Sequence, residues 1–471
     1  MRAIPTLKIS ISGVRGVVGD SLTPGLLARF AEAFGTYIGS GSVVVGRDTR
    51  TSGEMVRQAV FSGLLSSGCR VIDLDVCPVP TVQLAVRHRR AHGGIAITAS
   101  HNPAEWNALK FIGPDGLFLG AGPARELLDV YHQGEYVKVS GAEMRSVERM
   151  TDGLDLHLQA ILDEVGPLPK HQRRLRVALD ACNGAGALLA PRLLDALGAE
   201  VVPINITPDG LFPRPAEPLP ENLGALCEAV RTHQCDVGFA QDMDADRLAV
   251  IAETGEPIGE DYTLVLATWY VLGQRRGPVV ANLSTTAALD AVARRFGCEV
   301  LRTKIGEAHV TERMRIEKAV IGGEGNGGVI YPRINFARDS QVGMALILHL
   351  LASSGKTVSA LMAELPHYRM AKERLPCPSG KIPDVLRMVK HNYAHLPMDT
   401  RDGVKVTLAD GWFHVRGSNT EPIVRVVAEA SSDQAVRQIV DEVFGRVERV
   451  VNAGPTGDSC WSPPAADSNP S

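Results

Sequence analysis

The chain has little aromatic character. Phe, Trp and Tyr make up 5% of its 471 residues, so its cores are expected to rest on Leu, Val, Ile and Ala rather than on stacked rings. It also lacks a charge excess, with 49 Lys and Arg against 53 Asp and Glu and a net charge of −4. That balance leaves no electrostatic case for nucleic acid or an acidic membrane as the main partner. A small anionic ligand stays open, because a local basic pocket needs no basic protein. No apolar run approaches the roughly 20 residues of a membrane span, and residues 1–10 hold no apolar stretch of the kind a secretory signal carries. The eight cysteines, at 69, 77, 182, 227, 235, 298, 377 and 460, form no CxxC pair and no zinc-like spacing. They read as separate thiols of a reducing compartment, and a cytoplasmic location is the expectation that follows.

What is present is a globular composition, 45% hydrophobic and 22% charged, in a chain long enough for two to four domains. A strand, a polar turn, a helix and a strand recur three times. The first round runs through 42–46 (SVVVG), a helix at 54–67 with Val56, Val60, Phe61, Leu64 and Leu65 on one face, and a strand at 69–75. The strand 94–98 (GIAIT) then ends in a polar turn. The second round has a strand at 176–180, a turn at 182–186, a helix at 187–197 and the strand EVVPIN; the third has a strand at 278–282, a helical TTAALDAVARRFG and the strand CEVLRT. This rhythm predicts three similar α/β domains, with one large α/β domain as the alternative. After about residue 370 the texture changes. A hairpin is expected from 403–408 and 412–415 across Ala409-Asp410-Gly411, then a strand at 423–430 and a helix at 432–450, which together suggest a small α+β domain. The expected divisions are 1–153, 154–254, 255–368 and 369–452, with a Pro-, Gly-, Ser- and Asp-rich tail at 453–471 that should be disordered.

Four polar loops stand out, one in each expected domain. Thr98-Ala99-Ser100-His101-Asn102-Pro103 places a hydroxyl at a strand end among small neighbours, although Asn-Pro alone is a plain turn signal. Asp242-Met243-Asp244-Ala245-Asp246-Arg247 follows an apolar run. Three carboxylates at alternate positions repel unless a hard cation such as magnesium joins them. Their spacing with Glu253 imitates a calcium EF-hand, but Arg247 takes the place of its required glycine and the loop centre is apolar, which excludes that reading. Glycines 322, 323, 325, 327 and 328 surround Glu324 and Asn326, donors and acceptors suited to sugar hydroxyls; a flexible hairpin loop is the bland alternative. Arg416-Gly417-Ser418-Asn419-Thr420-Glu421-Pro422, with Arg425 behind it, offers guanidinium groups, hydroxyls and free amides for a phosphate dianion, or else is a polar turn with solvated arginines.

The combination is more specific than any part. The four loops, in this order, resemble the α-D-phosphohexomutase family of phosphoglucomutase, phosphomannomutase and phosphoglucosamine mutase. The likeness runs from Ser12-Gly13-Val14-Arg15-Gly16 to about Val450. The resemblance implies three similar α/β domains with mixed sheets and a C-terminal α+β domain around a central cleft. It implies an isomerase that moves a phosphoryl group between the 6- and 1-hydroxyls of a hexose through a bisphosphorylated sugar. Ser100 matches the residue that carries the phosphoryl group. Asp242, Asp244 and Asp246 match ligands of one Mg2+, with a Ser100 phosphate oxygen completing the site. Arg15, Lys110 and Arg247 match residues near the reacting group, with Lys110 a general acid/base candidate. His101, Lys304, His309, Glu324 and Asn326 match substrate-contacting positions. Arg416, Ser418, Asn419, Thr420 and Arg425 match the distal phosphate clamp.

A phosphorylated hexose is the implied partner and hexose 1,6-bisphosphate the implied activator, for a monomer or homodimer. Two positions depart from the usual pattern. Met243 stands where Gly or Pro is usual, between ligands rather than at one, and Asn326 stands where Ser is more common, which bears on the choice of sugar. The GEGNGG loop and the ISGVRG start resemble members described as phosphoglucosamine mutases, with phosphomannomutase/phosphoglucomutase as the alternative. A phosphatase using the same serine and metal, or a non-catalytic sugar-phosphate-binding protein, would be the readings from other classes.

Overall fold

The computed structural model describes residues 6–10, 13–169, 173–418 and 422–452; the expected tail at 453–471 lies outside the described residues. The chain divides into two compact units, Met1–Tyr368 and Arg369–Ser471.

The first unit holds three mixed sheets. In the first, the central strands Ser42–Arg47, Arg70–Val76 and Gly93–Ile97 run parallel, and Trp106–Ile112 lies antiparallel beside Gly93–Ile97. The second sheet orders Leu248–Ala252, Val237–Gln241, Arg176–Asp180 and Glu200–Ile204; the third orders Val300–Thr303, Val279–Asn282, Ile321–Glu324 and Gly328–Ile330. Parallel pairs need helical crossovers, which the sequence rhythm foretells. The polar loops are placed differently. Each connects the last strand of a parallel set to an antiparallel neighbour: Gly93–Ile97 to Trp106–Ile112, Val237–Gln241 to Leu248–Ala252, and Ile321–Glu324 to Gly328–Ile330. The serine, aspartate and glycine loops are thus one structural element used three times.

The second and third sheets share one continuous hydrophobic core. Helices Asp261–Gln274 and Ser340–Ser354 lie in it, and the latter is buried from Ser340 to Ala352. A helix apolar on all sides can only sit between layers. Burying a leucine such as Leu346 contributes roughly 1.5–3 kcal/mol, so Leu346→Asp would unfold this region. Asp339 caps that helix by accepting the Gln341 and Val342 N–H groups at 2.9 and 3.3 Å.

Two elements differ from expectation by more than two residues at an end. The helix expected over 187–197 is a 3-10 turn, Ala185–Leu188, followed by helix Ala190–Leu197. Pro191 has no N–H to give and is tolerated only in a first turn, so the helix restarts there. The helix expected over 285–297 shrinks to Ala288–Arg295, because the Asn282 side chain accepts the Ser284 N–H and the Thr285 hydroxyl and holds a turn.

The second unit is a five-stranded antiparallel sheet ordered Arg369–Pro376, Ile423–Ala430, Gly411–Gly417, Val404–Leu408 and Met398–Asp399. Helices Ile382–Asn392 and Asp433–Asn452 share its core of valines. The expected hairpin closes with Leu408 opposite Gly411, whose φ of +127° only glycine adopts freely.

Candidate active site

Strand Gly93–Ile97 is buried throughout and delivers Ser100 to a site where it is 6% exposed. Ser100 has φ +50°, a left-handed conformation costing a β-carbon-bearing residue on the order of 1–2 kcal/mol. The Thr98 hydroxyl accepts the Ser100 N–H at 2.9 Å and donates to Asp48 Oδ2 at 2.7 Å. The loop is braced from below by Arg50, 1% exposed. Its Nη2 donates to the Ser100 and Asn102 carbonyls, both at 2.7 Å, and its Nη1 to those of Pro103 and Trp106, at 2.6 and 2.9 Å. Its Nε donates to Asp48 Oδ2 at 3.1 Å. All five donors of the guanidinium are therefore used, which is how a fully buried arginine becomes tolerable.

The aspartate loop turns on Ala245, φ +56°. Each carboxylate has one oxygen occupied by a donor from the chain. Asp242 Oδ1 accepts the Asp246 and Arg247 N–H groups, both at 3.2 Å; Asp244 Oδ2 takes Lys110 Nζ at 2.8 Å; Asp246 Oδ2 takes Arg338 Nη2 at 2.6 Å. Of the remaining oxygens, Asp242 Oδ2 accepts the Ser100 hydroxyl at 2.8 Å, while Asp244 Oδ1 and Asp246 Oδ1 are buried without a partner. Ligand atoms of the three residues lie within 4.8 Å of one another. Buried oxygens left unbonded are costly, and three carboxylates each offering one oxygen suit a hard divalent cation, so the residues fit magnesium. Burial and then the Asp244 and Asp246 charges push Asp242 well above the usual carboxylate range. Burial opposes the Asp244 charge too, but Lys110 holds that carboxyl down at about 2.

The other expected residues of the first unit divide by surroundings. Arg247 reaches Glu217 Oε1 with Nη1 at 3.1 Å, and its Nε stands 4.0 and 3.8 Å from Asp242 and Asp246. Repulsion by Arg247, with burial next, lowers His101 to about 2, so its imidazole is neutral at ordinary pH. Lys110 moves the other way: burial works against its charge, and Asp244 and Asp246 more than restore it. Arg15 Nη1 reaches Asn102 Oδ1 at 3.5 Å. Glu324 is 3% exposed; its Oε1 accepts the Asn282 amide at 3.0 Å and the Gly306 N–H at 2.8 Å, and its Oε2 takes Arg338 Nη1 at 3.0 Å. Asn326 folds back so that its Oδ1 accepts the Gly328 N–H at 3.3 Å. Lys304 and His309 flank Gly306 with exposed side chains. The glycine and aspartate loops adjoin, the Leu248 N–H donating to the Gly327 carbonyl at 3.0 Å.

In the second unit, Arg416 is half-buried with Nε 3.5 Å from Asp402 Oδ2, and the Ser418 N–H donates to the Ile423 carbonyl at 2.9 Å. Asn419 and Thr420 lie outside the described residues. Arg425 is exposed and stands directly opposite Arg416 on one side and Arg374 on the other. Like charges in such register repel; a row of three suits an anion.

Arg50, Arg338 and Arg374 belong to no motif. Arg50 hides in a turn-rich stretch, Arg338 precedes a helix cap, and Arg374 joins the row only through strand register. The Asp48-x-Arg50 pair beside an apolar strand is the one signal legible in sequence.

Comparison with known proteins agrees with this geometry. The chain matches the phosphoglucomutase/phosphomannomutase alpha/beta/alpha domain I over residues 7–138, domain II over 155–255, domain III over 259–368 and the C-terminal domain over 373–446. It is 39% identical over 444 residues to a probable phosphoglucosamine mutase of Methanopyrus kandleri, covering 93% of this chain and 97% of the relative. It is 39% identical over 440 residues to a phosphoglucomutase/phosphomannomutase of Thermococcus kodakarensis, covering 91% and 96%. The crystal structure of a phosphoglucomutase/phosphomannomutase family protein from Burkholderia thailandensis superposes with TM-score 0.84 at 28% identity, covering 96% of this chain and 98% of that one. The chain belongs to the phosphoglucomutase/phosphomannomutase family. It is an isomerase of the phosphohexomutase class, and its aspartate cluster answers to the magnesium dependence of that family. No helix among the described residues is long and apolar enough to cross a membrane.

Proposed function

We propose that the protein interconverts the 6- and 1-phosphates of glucosamine by way of a phosphoryl group on Ser100, with mannose and glucose phosphates as the alternative substrates. The observation that carries the role of Ser100 is its hydroxyl, 2.8 Å from Asp242 Oδ2 inside the aspartate cluster. The relatives' names support the sugar: one is a probable phosphoglucosamine mutase and the other a phosphoglucomutase/phosphomannomutase at the same identity.

In transfer, the bond between phosphorus and Ser100 Oγ breaks and one to the sugar hydroxyl forms. Lys110, the general acid/base candidate, gives a proton to Ser100 Oγ as it leaves and recovers the one released by the sugar hydroxyl; His101, lowered to about 2, is too weak a base for that step. Lys110, held as an ammonium, and Arg247 face the developing charge on the phosphoryl oxygens. Asp242, Asp244 and Asp246 would hold one magnesium ion per chain, which when bound would supply Lewis-acid neutralisation of those oxygens. Arg15 steadies the serine loop through Asn102. Glu324 and Asn326, with Lys304 and His309 around Gly306, read the sugar. Arg416, Ser418, Asn419, Thr420 and Arg425 hold whichever phosphate is not reacting, so the bisphosphorylated sugar can return its other phosphate to Ser100. Hexose 1,6-bisphosphate restores the phosphoserine when it is lost. The protein works as a cytoplasmic monomer or homodimer.

A phosphorus NMR time course with magnesium and catalytic hexose 1,6-bisphosphate tests this on glucosamine, mannose and glucose monophosphates. Interconversion that Ser100→Ala lowers by at least about 10³-fold is expected, fastest with the glucosamine phosphates. Release of free phosphate in place of isomerisation would turn the reading toward a phosphatase.

A further inference from the structure

The three aspartates are held in place by donors, and one of those donors also serves the sugar loop. Arg338, its side chain 11% exposed, divides its guanidinium among three carboxylates. Nη2 holds Asp246 Oδ2 at 2.6 Å, Nη1 holds Glu324 Oε2 at 3.0 Å, and Nε holds Glu307 Oε2 at 3.0 Å. Because Asp246 Oδ2 is taken, only its unpartnered Oδ1 remains to meet a cation. Because Glu324 Oε2 is taken and Oε1 is bound to Asn282 and Gly306, the sugar-loop carboxylate is locked in one rotamer.

Space for this arrangement is made by Gly328. A β-carbon there would lie 2.9 Å from Arg338 Cγ and closer still to Cδ, so any larger residue would force the stem aside. The backbone around Arg338 is anchored without its side chain. The Ser340 hydroxyl donates to the Ala245 carbonyl at 2.6 Å and accepts the Gln241 amide at 2.6 Å, and Asp339 caps the following helix.

We propose that Arg338 is a positioning residue that couples the cation site to the sugar loop. It aims Asp246 Oδ1 and fixes Glu324 with one planar group, so that disturbing either carboxylate disturbs the other. This rests on the reading of Asp246 as a metal ligand and Glu324 as a sugar contact. Lysine is not equivalent, since a single ammonium cannot hold three carboxylates in the fixed directions of a guanidinium. Outer groups that orient metal ligands are worth about 10–100-fold in metal affinity or activity.

The test uses the full chain with Mn2+ as the probe, its binding followed by titration calorimetry and by its paramagnetic resonance signal. Arg338→Met is expected to weaken Mn2+ by about 10–100-fold and to raise the KM for sugar phosphate together with it. Arg338→Lys should recover most of the Mn2+ affinity through Asp246 while the raised KM persists. Gly328→Ala keeps the charge and displaces the stem, and should move both quantities in the direction of Arg338→Met by a smaller factor. If Arg338→Met folds and binds Mn2+ and sugar phosphate as the unaltered protein does, the coupling is overturned. If it does not fold, Gly328→Ala and Arg338→Lys decide, and unchanged Mn2+ affinity and KM in both overturn it. Mn2+ binding is read without turnover, so a chain that isomerises no sugar still judges the cation half of the proposal.

Discussion

The serine loop and the phosphate loop are both hairpin connections, yet they are built in opposite ways. Ser100, Asp242 and Asp246 are 6%, 0% and 1% exposed, and the serine loop hangs from a buried arginine whose every donor is used. In the second unit, Arg425 and Arg374 are exposed, and the row they form with Arg416 is a repulsive one. The difference follows the tasks proposed for the two loops. Charge that develops on a transferring phosphoryl group is best met by groups already fixed in a dry site, where they need no reorganisation. Under the proposed function, the phosphate that is not reacting is met instead by a row of arginines set by strand register at the surface of the second unit.

The largest break in that contrast is expected from Arg50→Met. Removing the guanidinium leaves Asp48 buried without its ionic partner and takes a donor from each of four carbonyls, of which Pro103 keeps the Trp106 N–H, a cost of about 3–5 kcal/mol. Chemical denaturation should show that loss, and turnover should fall to the level of Ser100→Ala. A variant of near-normal stability and activity would mean that the loop is not held from below.

A second, pH-dependent effect belongs to the other unit. Burial lowers His414, 0% exposed, to about 4 from its ordinary 6.5. Between those values the unfolded chain binds the extra proton, so the stabilisation is complete above pH 6.5 and is lost as the pH falls toward 4. At about 1.36 kcal/mol per pKa unit the total is about 3 kcal/mol. Hydrogen exchange of the strand Gly411–Gly417 between pH 4.5 and 7 should show the slope, and His414→Gln should flatten it. An unchanged slope would assign the acid sensitivity elsewhere.

The smallest stability change is expected from Arg425→Ala. Removing an exposed arginine from a row of like charges should alter the unfolding free energy by at most about 0.5 kcal/mol. KM for the sugar phosphate should nevertheless rise about 10-fold, since a charge-assisted hydrogen bond to phosphate contributes roughly 1.5–3 kcal/mol. A large loss of stability with unchanged KM would make Arg425 structural and would blur the distinction between the two loops.

Much of this was legible in the chain itself. Alternating apolar runs and glycines announce the α/β units and the antiparallel end, and the four loops announce their chemistry through residue types packed close in sequence. Helix 187–197 misled because Pro191 sits on an apolar face that otherwise continues across it. Arg338 and Arg374 were not legible, and Arg50 only through its spacing from Asp48, because their other partners are distant in sequence: Arg50 reaches Pro103 and Trp106, and Arg338 reaches Asp246.

The sequence by itself determined which groups are available. It supplies a serine at a strand end, three aspartates that repel without a cation, and arginines enough for a phosphate. Local chain chemistry suffices for that, since turns and alternation act over a few residues. Tertiary structure alone decided which carboxylate oxygens stay free. That depends on Lys110 and Arg338, which reach Asp244 and Asp246 from other strands and loops of the first unit. Hydrogen bonds of fixed direction between parts of the chain more than 90 residues apart are set by packing, and no local pattern encodes them.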